Sequence, residues 1–323
     1  MLNEDSAFFI PSKGFRPLDK ALLIYAVIEL ILVAKFLRSQ PVWTFYLLFY
    51  SGIIALPVFM RFAPLTNYGR FWQAIRVGYP LVFFLMLYEA IGPQIQMIQH
   101  RLFDNQIHSL EAALFGADPA FLLQPYMQIW INEFMSLSYM SYFFLLPTVA
   151  IIFIVKKNIR ALEQLSFSVS ATFFVCYLLF IIYPVAGPRF YLSETYYLPF
   201  IGPLLTPALS KIVLHGGLYG GAMPSSHCAV ALVIVWILGK EYKWAGIPFG
   251  SLFLFLSAAT VYGRFHYLSD VIAGIGIGAI MLVITLKIQN NFWQKNQSTY
   301  ISANAEIAEP EEILSNKTDI EVH

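Results

Sequence analysis

The sequence predicts an all-α fold, a polytopic membrane bundle of about eight transmembrane helices. Three observations lead there. Of 323 residues, 58% are hydrophobic and only 12% are charged, whereas a soluble domain carries about 25% charge. The apolar residues gather into eight runs, most near the ~20 residues that a bilayer core requires. The basic residues, finally, sort unequally between the two sides that those runs define. The net charge of +1 leaves no basic footprint for nucleic acid. Two cysteines, Cys176 and Cys228, exclude a disulfide framework and a thiolate metal site.

The runs cover 21–37, 42–60, 77–92, 136–155, 167–184, 227–239, 245–262 and 271–286. Backbone polar groups cannot face lipid unpaired, so each is expected to be helical. The first follows Lys13, Arg16 and Lys20 as a signal peptide would. It continues to Leu37 without a small-x-small cleavage site, and so reads as a retained span. Glu29 lies in its middle, where an acidic side chain costs ~2.5–3.5 kcal/mol, so a buried partner is expected. The third and sixth runs are short. Between the third and fourth, 108–115 (HSLEAALF) has helical apolar spacing and is expected to lie at the membrane interface. Gly274 and Gly278 stand in G-x-x-x-G spacing in the eighth run, which predicts a close helix contact. No strand precedes them, so a dinucleotide fingerprint is excluded. Trp43, Trp72, Tyr191, Tyr196, Tyr197 and Trp244 near the span ends read as an interfacial belt. Residues 289–323 are polar and are expected to form a disordered tail.

Eight spans put both termini on one side. Fourteen of the twenty Lys and Arg fall on that side; Lys35, Arg38, Arg101, Arg189, Lys211 and Arg264 fall on the other. The positive-inside rule makes both termini cytoplasmic, in a plasma or inner membrane, and turns the loops 93–135, 187–226 and 263–270 outward.

Titratable chemistry concentrates on the outward face. His100, His108, His215, His227 and His266 all map there. Residues 220–227 (GGAMPSSH) open the sixth run. Two glycines permit close backbone approach, Pro224 suits a first helical position, and Ser225 or Ser226 can cap. The free N–H groups and positive dipole end of such a helix suit a phosphate. His227, in the first turn, can protonate a phosphate oxygen. Residues 262–270 (YGRFHYLSD) close the seventh run. His266 and Asp270 are four apart, one helical turn, so the carboxylate can fix the tautomer of the histidine and strengthen it as nucleophile or base. Arg264 can fork onto phosphate oxygens. Residues 183–190 (YPVAGPRF) end the fifth run and bring Arg189 to the same depth. Each motif also has a plain structural reading: a capped helix start, a helix-end ion pair, a snorkelling arginine. Together they suit phosphoryl transfer by positioning and electrostatics. No paired carboxylates near this face suggest a metal, and none is expected. Glu89, Glu133 and Glu194 could line a headgroup pocket, and Cys228 reads as a small core residue.

The motifs G-P-R at 187–189, P-S-S-H at 224–227 and R-F-H-Y-L-S-D at 264–270 resemble the type 2 phosphatidic acid phosphatase superfamily. The pattern is departed from at Ile182, where a lysine is usual, and at Thr260, where an arginine is usual. Ser226 takes the usual glycine place. This variant is similar to the branch with the inositol-phosphorylceramide synthases. The resemblance implies a six-helix membrane core over 66–288, after a helix pair in 1–65 and before the tail at 289–323. It implies His266 as a nucleophile forming phosphohistidine, Asp270 as its orienter and His227 as general acid. Arg189 and Arg264 would clamp the phosphate, with help from Ser225 and Ser226, and no cofactor is implied. The expected partner is a phospholipid or isoprenoid phosphate among membrane lipids. A lipid phosphotransferase, and a non-catalytic transporter or scaffold, stay open at this point.

Overall fold

Helices are the only regular elements among the described residues, 14–62 and 69–318, of the computed structural model. Helices α1 (Pro17–Phe36) and α2 (Trp43–Phe62) form the first pair, and α3 (Arg70–Gly78) leads into α4 (Pro80–Ile91), which covers most of the third apolar run. The following loop folds into α5 (Asp104–Phe115) and the short α6 (Pro119–Leu122). Then come α7 (Ile129–Val155), α8 (Ile159–Ile182), the short α9 (Pro188–Tyr191), α10 (Leu205–Gly216), α11 (Ser226–Glu241), α12 (Gly246–Tyr262) and α13 (Leu268–Thr318).

Among the described residues, six segments are long and apolar enough to cross a membrane: Trp43–Phe62, Phe71–Gln94, Ile129–Val155, Ile159–Ile182, Lys243–Tyr262 and Leu268–Ser298. The other two runs expected to span are also helices, but they differ from the six. Helix α1 carries Asp19, Lys20, Glu29 and Lys35, and α11 has only 16 residues. The expected disordered tail differs as well, since α13 is helical as far as Thr318. Extending an existing helix avoids the nucleation cost, and this stretch is rich in Glu, Gln, Lys and Ala, which hold a helix well. Its last residues, 319–323, lie outside the described ones.

Helix α8 is the hub. Its span is 78% buried, against 28–39% for the other five. It packs on α1, α3, α4, α7, α11 and α13, so polar residues on every face of it meet protein. Gln164 donates to Ser168 Oγ at 2.7 Å, and Ser168 and Thr285 of α13 share a hydrogen bond of 2.7 Å. Such contacts satisfy hydroxyls that lipid would leave bare.

Buried ion pairs tie the first helix to this hub. Arg16 Nε meets Glu163 of α8 at 2.6 Å, and Trp293 of α13 donates to the same carboxylate at 2.9 Å. Arg76 of α3 meets Asp19 of α1 at 2.6 Å, with Tyr79 donating to Asp19 at 2.7 Å. Arg16 and Arg76 were counted above only as markers of sidedness; here they join helices. The side chain of Glu29 is fully buried, and its expected partner is the Tyr25 hydroxyl one turn earlier on the same helix, with the Tyr50 hydroxyl near by.

The G-x-x-x-G contact forms between α13 and α11. A methyl group on Gly274 would strike the Ser225 carbonyl, and one on Gly278 would sit 2.5 Å from the Ala229 carbonyl, whereas Gly276 faces open space. The glycines therefore set the distance between the two helices that bring His227 and Asp270 together. Gly278→Ala is expected to lower the thermal midpoint of the detergent-solubilised protein, by the ~1–3 kcal/mol typical of overpacking. Gly276→Ala should leave it unchanged or raise it, because only helix propensity changes there. A scan in which the two variants melt alike would refute this contact.

Candidate active site

The three polar motifs meet at one end of the bundle. Helix α8 ends at Ile182, and the chain crosses Val185, which pairs with Gly221 through Val185 N–H to the Gly220 carbonyl at 2.9 Å and Ala222 N–H to the Val185 carbonyl at 2.8 Å. Two motifs that are 35 or so residues apart in sequence are thus stitched side by side. Gly187 has φ +95°, and a Cβ there would lie 2.8 Å from the Phe265 carbonyl. Only glycine tolerates both the left-handed backbone and that approach. Arg189 N–H then donates to the Arg264 carbonyl at 2.8 Å, linking the first motif to the third.

His266 is buried in the loop between α12 and α13. Its Nδ1 lies 3.4 Å from Asp270 Oδ2, and its Nε2 lies 3.5 Å from His227 Nδ1. The Asp270 contact is at ion-pair distance but is not aligned as a hydrogen bond. The backbone of this loop is held by Phe265 and His266 N–H groups donating to the Thr260 carbonyl at 2.9 and 3.1 Å. Asp270 also accepts from Tyr267 N–H at 2.9 Å, which closes the start of α13 as a cap does. His227 stands in the first turn of α11, its Nε2 3.1 Å from the Tyr139 hydroxyl and its ring against Tyr142. Ser225 caps α11 by accepting from Cys228 N–H at 3.4 Å, and its own N–H donates to the Asp270 carbonyl at 2.9 Å. Ser226 is the first residue of α11 and is buried. The spacing of these motifs thus brings His266, Asp270 and His227 into one line.

The arginines lie beside that line. Arg189 and Arg264 line a cavity of about 230 Å³ together with Ser193, Tyr196, Ser210 and Gly263. The histidines are not part of its lining. Arg264 has φ +64°, unusual for a residue with a side chain. Its guanidinium stacks 4.1 Å over the Tyr196 ring and donates to the Leu198 carbonyl at 2.5 Å and to Met127 Sδ at 3.0 Å. Arg189 rests over the Phe265 ring at 5.5 Å. Burial lowers the pKa of both arginines from the ordinary value, with Tyr139 opposing this at Arg189 and Tyr196 at Arg264. Strong hydrogen-bond acceptors entering the cavity would restore the balance.

Two carboxylates that sequence reasoning missed brace these loops. Asp104, fully buried at the start of α5, accepts from Ala186 N–H at 2.8 Å, Gly187 N–H at 2.9 Å and the Tyr267 hydroxyl at 3.3 Å. Glu111, seven residues on and on the same helix face, accepts from Ser269 N–H at 2.6 Å. Burial raises the Glu111 pKa while that N–H lowers it. Helix α5 therefore docks onto the motif loops by Asp104 and Glu111. The i, i+7 spacing of the two acids was the available signal. Asp118 caps α6 and accepts from the Tyr196 hydroxyl at 3.3 Å, which supports the ring beneath Arg264.

Other expected residues lie elsewhere. His100 and His215 are exposed and His108 is apart from the histidine pair. Glu89 and Glu194 are exposed. Glu133 accepts from the N–H groups of Leu205 and Thr206 at 2.7 and 3.0 Å, so it caps α10. Ile182, where a lysine is usual in the resembled pattern, is 55% exposed on the outside of the bundle. Thr260 supplies the carbonyl that holds the His266 loop.

Residues 105–284, more than half of the chain, match the PAP2 superfamily. No curated protein matches the chain, and no solved structure matches it either.

Burial lowers the His266 pKa to about 4, against a backbone hydrogen bond to Ala222 that raises it. The ring is therefore neutral at neutral pH. The native state takes up this proton only near pH 4 while the unfolded chain does so near 6.5, so stability falls as pH drops through that window. Nitrogen NMR of labelled histidine should show, among the rings still neutral at pH 5.5, one whose signals are absent from the His266→Gln spectrum; a His266 titration near 6.5 would contradict the site geometry. Asp104→Asn turns an amide donor toward N–H donors. It is expected to cost on the order of 1–3 kcal/mol and to lower the thermal midpoint, with Glu111→Gln milder. Wild-type melting in Asp104→Asn would refute the brace.

Proposed function

Because the chain belongs to the PAP2 superfamily, whose members are generally phosphatases or phosphotransferases, we propose that it is a metal-independent lipid phosphate phosphatase working at the outer leaflet. What carries this reading is the line of Asp270, His266 and His227, with Asp270 at 3.4 Å from Nδ1 of His266 and His227 at 3.5 Å from its Nε2. A carboxylate on Nδ1 leaves the Nε2 lone pair of His266 as the nucleophile.

In the proposed reaction the phosphomonoester enters beside Arg189 and Arg264, whose charges offset those of its oxygens. Nε2 of His266 attacks phosphorus as the bond to the lipid oxygen breaks. His227, protonated by the incoming monoprotonated phosphate ester, gives that oxygen its proton, while the His266 Nδ1–H faces Asp270. Water then attacks the phosphohistidine, His227 takes a proton from it, and inorganic phosphate and the two histidines are restored. At 3.5 Å the two rings leave no room for a phosphoryl group between them. The His227 ring must swing off, away from Tyr139, when substrate arrives. The arginine cavity gives the remaining phosphate oxygens their place, and the N-terminus of α11, with Ser225 and Ser226, adds N–H groups.

The test is phosphate release by the detergent-solubilised protein from phosphatidic acid, lysophosphatidic acid, sphingosine phosphate and a prenyl diphosphate. Wild type should release phosphate from at least one of them and retain activity with chelator. His266→Ala should abolish it, with labelled phosphohistidine trapped only when His266 is present. His227→Ala should lose about 10²–10⁴-fold. Headgroup exchange without phosphate release would replace hydrolysis by transfer to a second alcohol. Absence of both would favour a transporter or scaffold.

A further inference from the structure

A second cavity, of about 310 Å³, opens at the far end of the same three helices. It lies between Arg160 and Gln164 on α8, Trp236 and Lys240 on α11, and Asn290 and Trp293 on α13. Lys240 is about 20 Å from His227 along α11, at about 1.5 Å per residue. Trp293 is about 35 Å from Asp270 along α13 by the same measure. The cavity therefore sits near the membrane face opposite the histidines, on the side that carries most of the basic residues.

Its lining has a definite chemistry. Two cations flank it, each seated on an indole: Arg160 lies 4.2 Å over the Trp293 ring and Lys240 lies 5.3 Å over the Trp236 ring. Among the lining residues, Glu241 is an acidic group, and its carboxylate accepts from Asn158 at 2.8 Å. Trp236 is exposed, at the depth where indoles favour the boundary between tails and headgroups. At the inner end Gln164 is buried, and its Oε1 meets no donor among the described residues. Cations alone would suit any anion. An amide oxygen without a donor asks in addition for a hydroxyl. Basic pockets between transmembrane helices on the cytoplasmic side take anionic headgroups, where the leaflet supplies anionic lipid at high local concentration.

We propose that this cavity holds the headgroup of an anionic phospholipid from the leaflet opposite the histidines, its phosphate between Arg160 and Lys240 and a headgroup hydroxyl on Gln164. The site is separate from the proposed phosphoryl-transfer site, so it stands whether or not that reading holds. Bound lipid there would join α8, α11 and α13 at the end that the motif loops leave open.

The test is native mass spectrometry of the full chain in detergent with dioctanoyl phosphatidylglycerol, dioctanoyl phosphatidylcholine and glycerol 3-phosphate. Wild type should retain phosphatidylglycerol at least fivefold over phosphatidylcholine, and millimolar glycerol 3-phosphate should not displace it. Lys240→Ala and Trp236→Ala, both at exposed side chains, should each reduce retention at least threefold without a change in thermal midpoint. Arg38→Ala, an exposed cation outside both cavity linings, should retain as wild type does. Equal retention of the two lipids, retention untouched in both Lys240→Ala and Trp236→Ala, or equal loss in Arg38→Ala would overturn the proposal. Displacement by glycerol 3-phosphate would overturn the lipid as occupant in favour of a soluble phosphate.

Discussion

The Asp104 carboxylate is the constraint on which the motif end of this bundle depends. Loops that carry a glycine at positive φ and two arginines cannot hold their shape through apolar burial alone. Their N–H groups need acceptors where little water reaches them. Asp104 supplies two acceptor oxygens to consecutive N–H groups of the first motif and reaches the Tyr267 hydroxyl of the third. Glu111 does the same for the start of α13. A charged acceptor makes stronger bonds than a carbonyl, and in a dry setting each counts for more. With α5 removed, both loops would face unpaired N–H groups, and Arg189 and His266 would lose their shared frame.

Within that frame the helix contacts decide distances. Gly274 and Gly278 let α13 approach the backbone of α11, and Ser225 N–H can then reach the Asp270 carbonyl. His227 comes to 3.5 Å from His266, in the loop that leads into α13, where α11 and α13 touch at glycine. The same approach continues along the helices to their far ends, where Lys240, Trp236 and Trp293 enclose the second cavity. Helix α8 packs on both α11 and α13 and supplies Arg160 and Gln164 to that cavity.

Scarce charge is used sparingly throughout. Arg16 and Arg76 tie helices through buried carboxylates, while Arg189 and Arg264 stand over aromatic rings beside a cavity. Arg264 accepts a left-handed backbone to stand there, and such strain persists only where surrounding contacts over-determine it. Its carbonyl and N–H are both bonded, to Arg189 and Val261, which is that over-determination.

Membrane residence, the helical class and the order of the polar motifs were legible in the sequence. These depend on local composition: an apolar run in lipid must be helix, and the few polar residues at its ends must share a depth. The spacing of His266 and Asp270, and the glycines of the last run, were legible for the same reason, since helical periodicity is a short-range property. Glu133 was read as a pocket residue and is a cap; α5, expected at the membrane interface, also braces the motif loops. Those roles depend on partners 72 and 158 residues away. No periodicity reports such distances, and the choice of partner belongs to packing. Sequence by itself determined which residues could do phosphate chemistry. Only the tertiary structure decided that Asp104 and Glu111 would hold them, because a carboxylate binds whichever N–H groups the fold brings within reach.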